Sequence, residues 1–157
     1  MAKPESMNIR LVQGEDVETL FEIRTSVKEN YQSRQEIAKL GITPASVAKM
    51  LDKECCAWIA EVKSQPVGFS IANLTEKTIL GLFVLPEFEN QGIGRALMEI
   101  TEDWFKKQGI KEISLLTGNN PTFRAYGFYL HLGWTAVGLE TEGVMKGEMK
   151  FARNLTY

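Results

Sequence analysis

The segment with the clearest chemical potential is a glycine-bearing loop, Gly92-Ile93-Gly94, which follows an apolar run and opens an amphipathic stretch. Glycine at 92 and 94 lets a ligand approach the backbone without obstruction by a Cβ atom. The start of a helix also carries unpaired N–H donors and a partial positive charge, which favour anions. The spacing therefore predicts an anion-binding loop suited to a diphosphate, although the same glycines could serve only a tight strand-to-helix turn.

The sequence lacks the residue patterns that several other kinds of site require. A dinucleotide-binding loop requires a third glycine where this chain has Leu97, and no Gly-Lys-Ser/Thr of a nucleoside-triphosphate loop follows Gly94. The one histidine, His131, leaves no zinc-ligand pattern and has no Gly-x-Ser-x-Gly elbow to accompany it. We therefore predict no metal site and no hydrolase triad.

Composition places the loop in an ordinary folded domain. The chain has 157 residues, 44% hydrophobic and 24% charged, with a formal net charge of -2, so a nucleic-acid partner is not expected. No run approaches the roughly 18 apolar residues of a membrane span. The adjacent Cys55 and Cys56 cannot bridge distant segments, which favours a cytoplasmic protein. We predict one domain over residues 1–157, with residues 1–6 disordered or an expression remnant, and leave dimerisation through strand edges open.

Hydrophobic periodicity predicts a mixed α+β order that positions the loop. The apolar stripe between Gly92 and Gly109 is the best-defined helix, and a strand ends just before it at Leu85. Short connections make the three preceding strands an antiparallel meander. The predicted strands are 8–12, 55–62, 67–74, 78–85, 112–116, 134–139 and 144–155. The predicted helical segments are 16–28, 33–40, 45–52, 92–109 and 121–132.

Two motifs resemble the GCN5-related N-acetyltransferase family. The loop from Glu89 to Gly94 is similar to its Gln/Arg-x-x-Gly-x-Gly/Ala motif, with Glu89 in place of the first polar residue. Downstream, the segment from Thr122 to Trp134 is similar to Asn-x-x-Ala-x-x-Phe-Tyr-x-x-x-Gly-Phe, with Thr122 for asparagine and Trp134 for phenylalanine. The resemblance implies a mostly antiparallel twisted sheet of six to seven strands, splayed between the fourth and fifth, flanked by about four helices.

The resemblance also implies acetyl-CoA as cosubstrate and direct transfer of its acetyl group to a primary amine. Tyr129 is the implied general acid that protonates the departing sulfur. The diphosphate is expected on the loop and the pantetheine arm along the preceding strand. The implied cofactor-binding residues are Leu82, Phe83, Val84, Glu89, Asn90, Gln91, Gly92, Ile93, Gly94, Arg95, Thr122 and Phe128.

Four polar residues at the end of the first predicted helix could line an acceptor pocket, namely Arg24, Glu29, Asn30 and Tyr31. Glu29 would favour a cationic amine and Arg24 an acceptor with a carboxylate, although each could equally be a solvated helix terminus. The acceptor is left open among a small amine, an amino acid and a peptide or protein amine. The alternatives to an enzyme are a non-catalytic acyl-CoA-binding or sensing module and a protein that binds another phosphate-bearing ligand.

Overall fold

The protein is described by a computed structural model that covers residues 6–156. Its seven strands form one sheet in the order β1-β2-β3-β4-β5-β7-β6. All neighbours are antiparallel except β4 and β5, which are parallel. The strands are β1 (Met7–Leu11), β2 (Cys55–Val62), β3 (Gln65–Asn73), β4 (Thr78–Val84), β5 (Glu112–Thr117), β6 (Thr135–Leu139) and β7 (Met149–Asn154). The predicted α+β class and mostly antiparallel sheet are therefore confirmed.

Five α-helices occur within residues 6–156, one more than the resemblance implied. They are α1 (Val17–Arg24), α2 (Arg34–Lys39), α3 (Pro44–Leu51), α4 (Ile93–Lys107) and α5 (Arg124–His131). The hydroxyls of Ser33 and Thr43 accept the N–H groups of Glu36 and Ser46, so α2 and α3 begin with side-chain caps. Ile37 and Val47 anchor these two short helices in the core.

The two faces of the sheet carry separate hydrophobic clusters, because successive side chains of a strand point to opposite faces. Ile59 and Phe69 pack with Leu20 of α1 on one face. Leu97 and Phe105 of α4 occupy the other face, together with Trp58, Ile113, Trp134 and Phe151. A buried hydrogen bond of 2.8 Å between the Ser70 and Thr101 hydroxyls joins β3 to α4. The sheet thus holds α4 firmly against the inner strands.

A fork in the sheet confirms the predicted splay. Strands β4 and β5 pair only at Thr78 with Ser114 and at Ile79 with Leu115. On the other side of β4, Ile71 faces Gly81 while Ala72 faces Ile79, so Leu80 forms a β-bulge. A bulge bends its strand and increases the local twist. Beyond it, β4 runs on beside β3 and separates from β5.

Within residues 6–156, no helix has the length and apolar character needed to cross a membrane. No group of three or more His, Cys, Asp or Glu side chains in that range could hold a metal ion. The prediction for residues 1–6 concerns a segment of which residues 1–5 lie outside the described part of the chain.

Candidate active site

A cleft of about 1400 Å³ opens where β4 and β5 separate. Leu82, Phe83 and Val84 of β4 line it, together with the first turn of α4, one side of α5 and the end of α1. One edge of this part of β4 is paired with β3, while the register with β5 ends at Ile79. The second edge is therefore available to an extended ligand that carries amide groups, which would pair as an added strand does.

The glycine loop forms one end of this cleft. Asn90 and Gly92 have positive φ angles of 64° and 81°, and Gly92 is the N-cap of α4. The first helical N–H that bonds back along the chain belongs to Ala96, which donates to Gly92 O at 3.1 Å. The N–H groups of the first turn thus precede the helical hydrogen-bond ladder and can receive an anion.

Gly94 allows α4 and α5 to approach closely. A Cβ atom at this position would lie 3.3 Å from Cζ of Phe128, which is a tight contact. Phe128 itself lines the cleft from α5. The glycine spacing therefore serves both the anion-binding turn and the packing that brings the second motif beside it.

Glu89, which departs from the family motif, is paired with a cation. Its carboxylate lies 3.2 Å from Nε of Arg124, and Nη1 of Arg124 donates to Oδ1 of Asn90 at 2.8 Å. Arg124 is the first residue of α5, so this contact ties the loop to that helix. Sequence reasoning missed Arg124, although it directly precedes Ala125 of the second motif. The pair compensates the negative charge that Glu89 would bring to a diphosphate.

Tyr129 lies in an aromatic cluster beneath the cleft. Its ring centroid is 5.5 Å from that of Phe128, 5.7 Å from Phe151 and 6.1 Å from Trp134. The residue lines the cleft and is 6% exposed. Burial raises the pKa of Tyr129 above that of an ordinary tyrosine. The hydroxyl therefore stays protonated far above neutral pH and is a weaker acid than an ordinary tyrosine.

Arg24 extends from the end of α1 into the same cleft. Its guanidinium lies 4.6 Å from the ring centroid of Phe83, and Nη2 donates to Gln32 Oε1 at 3.0 Å. Nη1 is buried and has no hydrogen-bond partner among the described residues. Burial lowers the pKa of Arg24, while the nearby carboxylate of Glu148 acts in the opposite direction.

Glu148, which sequence reasoning also missed, supplies a carboxylate to the cleft. It precedes β7 directly, and its Oε2 is buried without a hydrogen-bond partner in the described part of the chain. Burial raises its pKa, and the charge of Arg24 opposes that shift. No pattern singles it out, because it falls inside the predicted strand 144–155. The structure instead places 144–147 in a turn.

The remaining predicted residues divide into two groups. Glu29 and Asn30 line the cleft, and Oε1 of Glu29 accepts the backbone N–H of Arg124 at 2.8 Å. Ile93 is buried at the start of α4, whereas Arg95 is exposed beside the cleft. Three predicted residues are absent from the lining of this cleft: Gln91, Thr122 and Tyr31. The Thr122 hydroxyl instead donates to Asn120 Oδ1 at 2.7 Å, and Tyr31 is 51% exposed.

The forked sheet with a glycine-headed helix at the fork agrees with the fold that the resemblance implied. Residues 17–134 match the family model described as the acetyltransferase (GNAT) family. The chain belongs to this family. The predicted family is therefore confirmed.

Relatives agree with this assignment. An uncharacterised N-acetyltransferase of Chlorobaculum tepidum is 39% identical over 74 residues, which cover 45% of this chain and 48% of that protein. The chain spans about half the length of the curated relatives it matches.

Solved structures share the fold at low sequence identity. The PaiA N-acetyltransferase from Thermoplasma acidophilum, crystallised in complex with coenzyme A, superposes with a TM-score of 0.78 at 23% identity, covering 95% of this chain and 99% of that one. The ribosomal-protein-S18-alanine N-acetyltransferase from Escherichia coli gives a TM-score of 0.74 at 18% identity, with 96% and 95% covered.

Proposed function

We propose that the chain is a single-domain N-acetyltransferase that transfers the acetyl group of acetyl-CoA to a primary amine. The observation that carries the proposal is the fork between β4 and β5. It opens a cleft that has the glycine-headed α4 at one end and Tyr129 in its lining. Membership of the acetyltransferase family supports acetyl-CoA as the cosubstrate.

The residues of the cleft suit coenzyme A. The diphosphate would accept hydrogen bonds from the N–H groups in the first turn of α4, where the helix dipole favours negative charge. Arg95 would add a cation nearby, and the pair between Arg124 and Glu89 leaves the loop without a net negative charge. The two amides of the pantetheine arm would pair with the open edge of β4 at residues 82–84.

The proposed reaction is direct displacement. The lone pair of a neutral amine attacks the thioester carbonyl carbon, forming the C–N bond, and the C–S bond breaks with its electron pair on sulfur. The nitrogen releases one proton to water, and the departing sulfur takes one proton from the Tyr129 hydroxyl, which solvent then restores. A thiol with a pKa of about 8.5 is already a fair leaving group, so this donation contributes less than general acids usually do.

The acceptor class is a primary amine, on a small molecule, an amino acid, a peptide or a protein. The solved neighbour from Escherichia coli is named for an alanine of a ribosomal protein, which supports keeping protein amines in any screen. Localisation in the cytoplasm stays a prediction that rests on composition and on the free thiols Cys55 and Cys56. Dimerisation likewise stays a prediction.

The test combines calorimetric binding of CoA with release of free thiol from acetyl-CoA over a panel of amines. We expect CoA to bind and at least one amine to release thiol. Tyr129→Phe should retain CoA affinity and lower kcat about 10-fold to 100-fold, at or below the lower end of general-acid effects. Tyr126→Phe is the matched control, because Tyr126 packs on Phe151 from α5 but does not line the cleft.

Two outcomes would contradict the proposal, and a third would contradict only the role of Tyr129. Absence of CoA binding would remove the cosubstrate, and CoA binding without transfer to any amine would favour the non-catalytic acyl-CoA-binding module. A Tyr129→Phe variant with undiminished kcat would remove the general acid while leaving the transfer reaction itself intact. Circular dichroism of both variants checks that the fold is preserved.

A further inference from the structure

Two side chains of opposite charge line the cleft, and each has one polar atom without a hydrogen bond. They are Nη1 of Arg24 and Oε2 of Glu148, both buried and both without a hydrogen-bond partner among residues 6–156. They come from distant parts of the chain, the end of α1 and the turn before β7. The charge of each side chain affects the pKa of the other, yet these two atoms do not form a hydrogen bond with one another.

Such atoms are costly to leave unpaired. A buried charge without its hydrogen bonds loses hydration that nothing replaces, so most buried charges in proteins are partnered. The other nitrogen of the Arg24 fork, Nη2, is already bonded to Gln32 Oε1, and the guanidinium stacks on Phe83. The side chain is therefore held in place with one donor unused.

Two other carboxylates of the cleft, Glu29 and Glu89, are already engaged. Glu29 accepts the first N–H of α5, and Glu89 is paired with Arg124. Glu29 is thus occupied at the end of the cleft where Arg124 lies. Glu148 differs from them because it has a buried oxygen without a hydrogen-bond partner among the described residues, and its charge acts to raise the pKa of Arg24.

We propose that Arg24 and Glu148 together bind an acceptor that carries both an ammonium and a carboxylate, namely a free α-amino acid. The carboxylate would accept a hydrogen bond from Nη1 of Arg24, and the ammonium would donate to Oε2 of Glu148. Both unbonded atoms would then be satisfied by one ligand. A peptide N-terminus or a simple amine lacks the carboxylate and would satisfy only Glu148. The inference deepens the proposed function and rests on it for the role of the ligand as acceptor.

The test measures equilibrium binding to the CoA-saturated protein by ligand-observed NMR, with the proteinogenic α-amino acids as the probes. Each amino acid that binds is then compared with its methyl ester and with its decarboxylated amine. We expect binding of the amino acid to be about 10-fold to 100-fold tighter than binding of either analogue, the range that one charge-assisted hydrogen bond supplies.

Variants assign the two contacts. Arg24→Gln should abolish the preference for the amino acid over its ester, while Arg24→Lys should keep part of it because the charge remains. Glu148→Gln should weaken the amino acid, the ester and the amine alike, by about tenfold or more. The matched controls are Lys39→Gln, an exposed cation at the end of α2, and Glu142→Gln, an exposed carboxylate in the segment before β7, and neither residue lines the cleft. Both should bind as the unaltered protein does, and calorimetry should find CoA affinity unchanged in all five variants.

The outcomes separate this inference from the proposed function. Amino-acid binding that depends on Arg24 but gives no release of thiol would support the inference and overturn the proposed reaction. Thiol release from simple amines as efficient as from amino acids would support the reaction and overturn the inference. Binding of no amino acid, or an unchanged preference in Arg24→Gln, would also overturn it.

Discussion

Arg124 offers a direct test of how the glycine loop tolerates Glu89. In the structure Glu89 and Arg124 form an ion pair of 3.2 Å between Nε and Oε2, with side chains 35% and 42% exposed. The charges of this pair sum to zero beside the expected diphosphate. Arg124→Gln leaves a local charge of -1, Glu89→Gln leaves +1, and the double variant is again neutral. CoA affinity should therefore be lowest in Arg124→Gln, intermediate in the unaltered protein and the double variant, and highest in Glu89→Gln.

The expected size follows from the exposure of the pair. A unit charge about 4 Å from another is worth about 1 kcal/mol in water and about 4 kcal/mol at an effective dielectric constant of about 20. Because both side chains are partly exposed, solvent screens their charges, and we take about 1 to 2 kcal/mol. Arg124→Gln should therefore raise the Kd for CoA about 5-fold to 30-fold at low salt. Glu89→Gln should lower it, and the double variant should lie near the unaltered protein.

Calorimetric titration with CoA at two salt concentrations is the assay. The differences should shrink at high salt, because exposed charges are screened. Arg34→Gln is the control, since Arg34 also forms an exposed pair, with Glu18, but does not line the cleft. It changes the total charge by the same amount and should leave the Kd unchanged. If Glu89→Gln weakened CoA binding as much as Arg124→Gln does, the pair would act by positioning the loop and the electrostatic reasoning would be refuted.

Three further predictions concern other parts of the molecule. Gly92→Ala places a side chain at a φ of 81°, so it should lower the free energy of unfolding by about 1 kcal/mol and weaken CoA binding. Gly94→Ala meets only a 3.3 Å contact, so both effects should be smaller. Urea titration measures the stability of each variant, and calorimetry measures its CoA affinity. Tyr129 ionises near pH 10 in the unfolded chain, whereas burial raises its pKa in the folded protein. The free energy of unfolding should therefore fall as the pH rises above about 10, by up to about 1.4 kcal/mol per pH unit. Urea titrations should find a smaller slope in Tyr129→Phe. Burial raises the pKa of Cys55 to about 11, so mass spectrometry should find it alkylated by iodoacetamide at pH 7.5 only after unfolding, and rapid labelling of the native protein would contradict its buried position.

Local patterns were sufficient for the elements around the loop. The apolar stripe of α4 and its stop at Gly109 predict a helix that the structure ends at Lys107, and Thr43-Pro44 marks the start of α3. Element ends were less predictable where side chains bond to the backbone. The first helix was predicted to continue to Lys28 but ends at Arg24, because the hydroxyls of Thr25 and Ser26 donate to carbonyls of the preceding turn.

Features that depend on contacts between distant segments were out of reach of the sequence. The bulge at Leu80 arises from the register of β4 against β3, and the single local signal for it in the run 78–85 is the neighbouring Gly81. The roles of Arg124 and Glu148 in the site depend on partners far along the chain, Glu89 and Arg24 respectively. Tyr129 was identified through its motif, but its raised pKa follows from burial among aromatic rings. The cofactor loop could therefore be predicted far better than the acceptor side of the cleft.

The central claim is that the first turn of α4 binds the diphosphate of coenzyme A and that the arm then follows β4 toward Tyr129. A crystal structure of the protein with acetyl-CoA tests it most directly. We predict the diphosphate within hydrogen-bond distance of the backbone N–H groups of residues 92–95, with the thioester sulfur beside the Tyr129 hydroxyl. A diphosphate bound elsewhere, or a sulfur remote from Tyr129, would contradict the account.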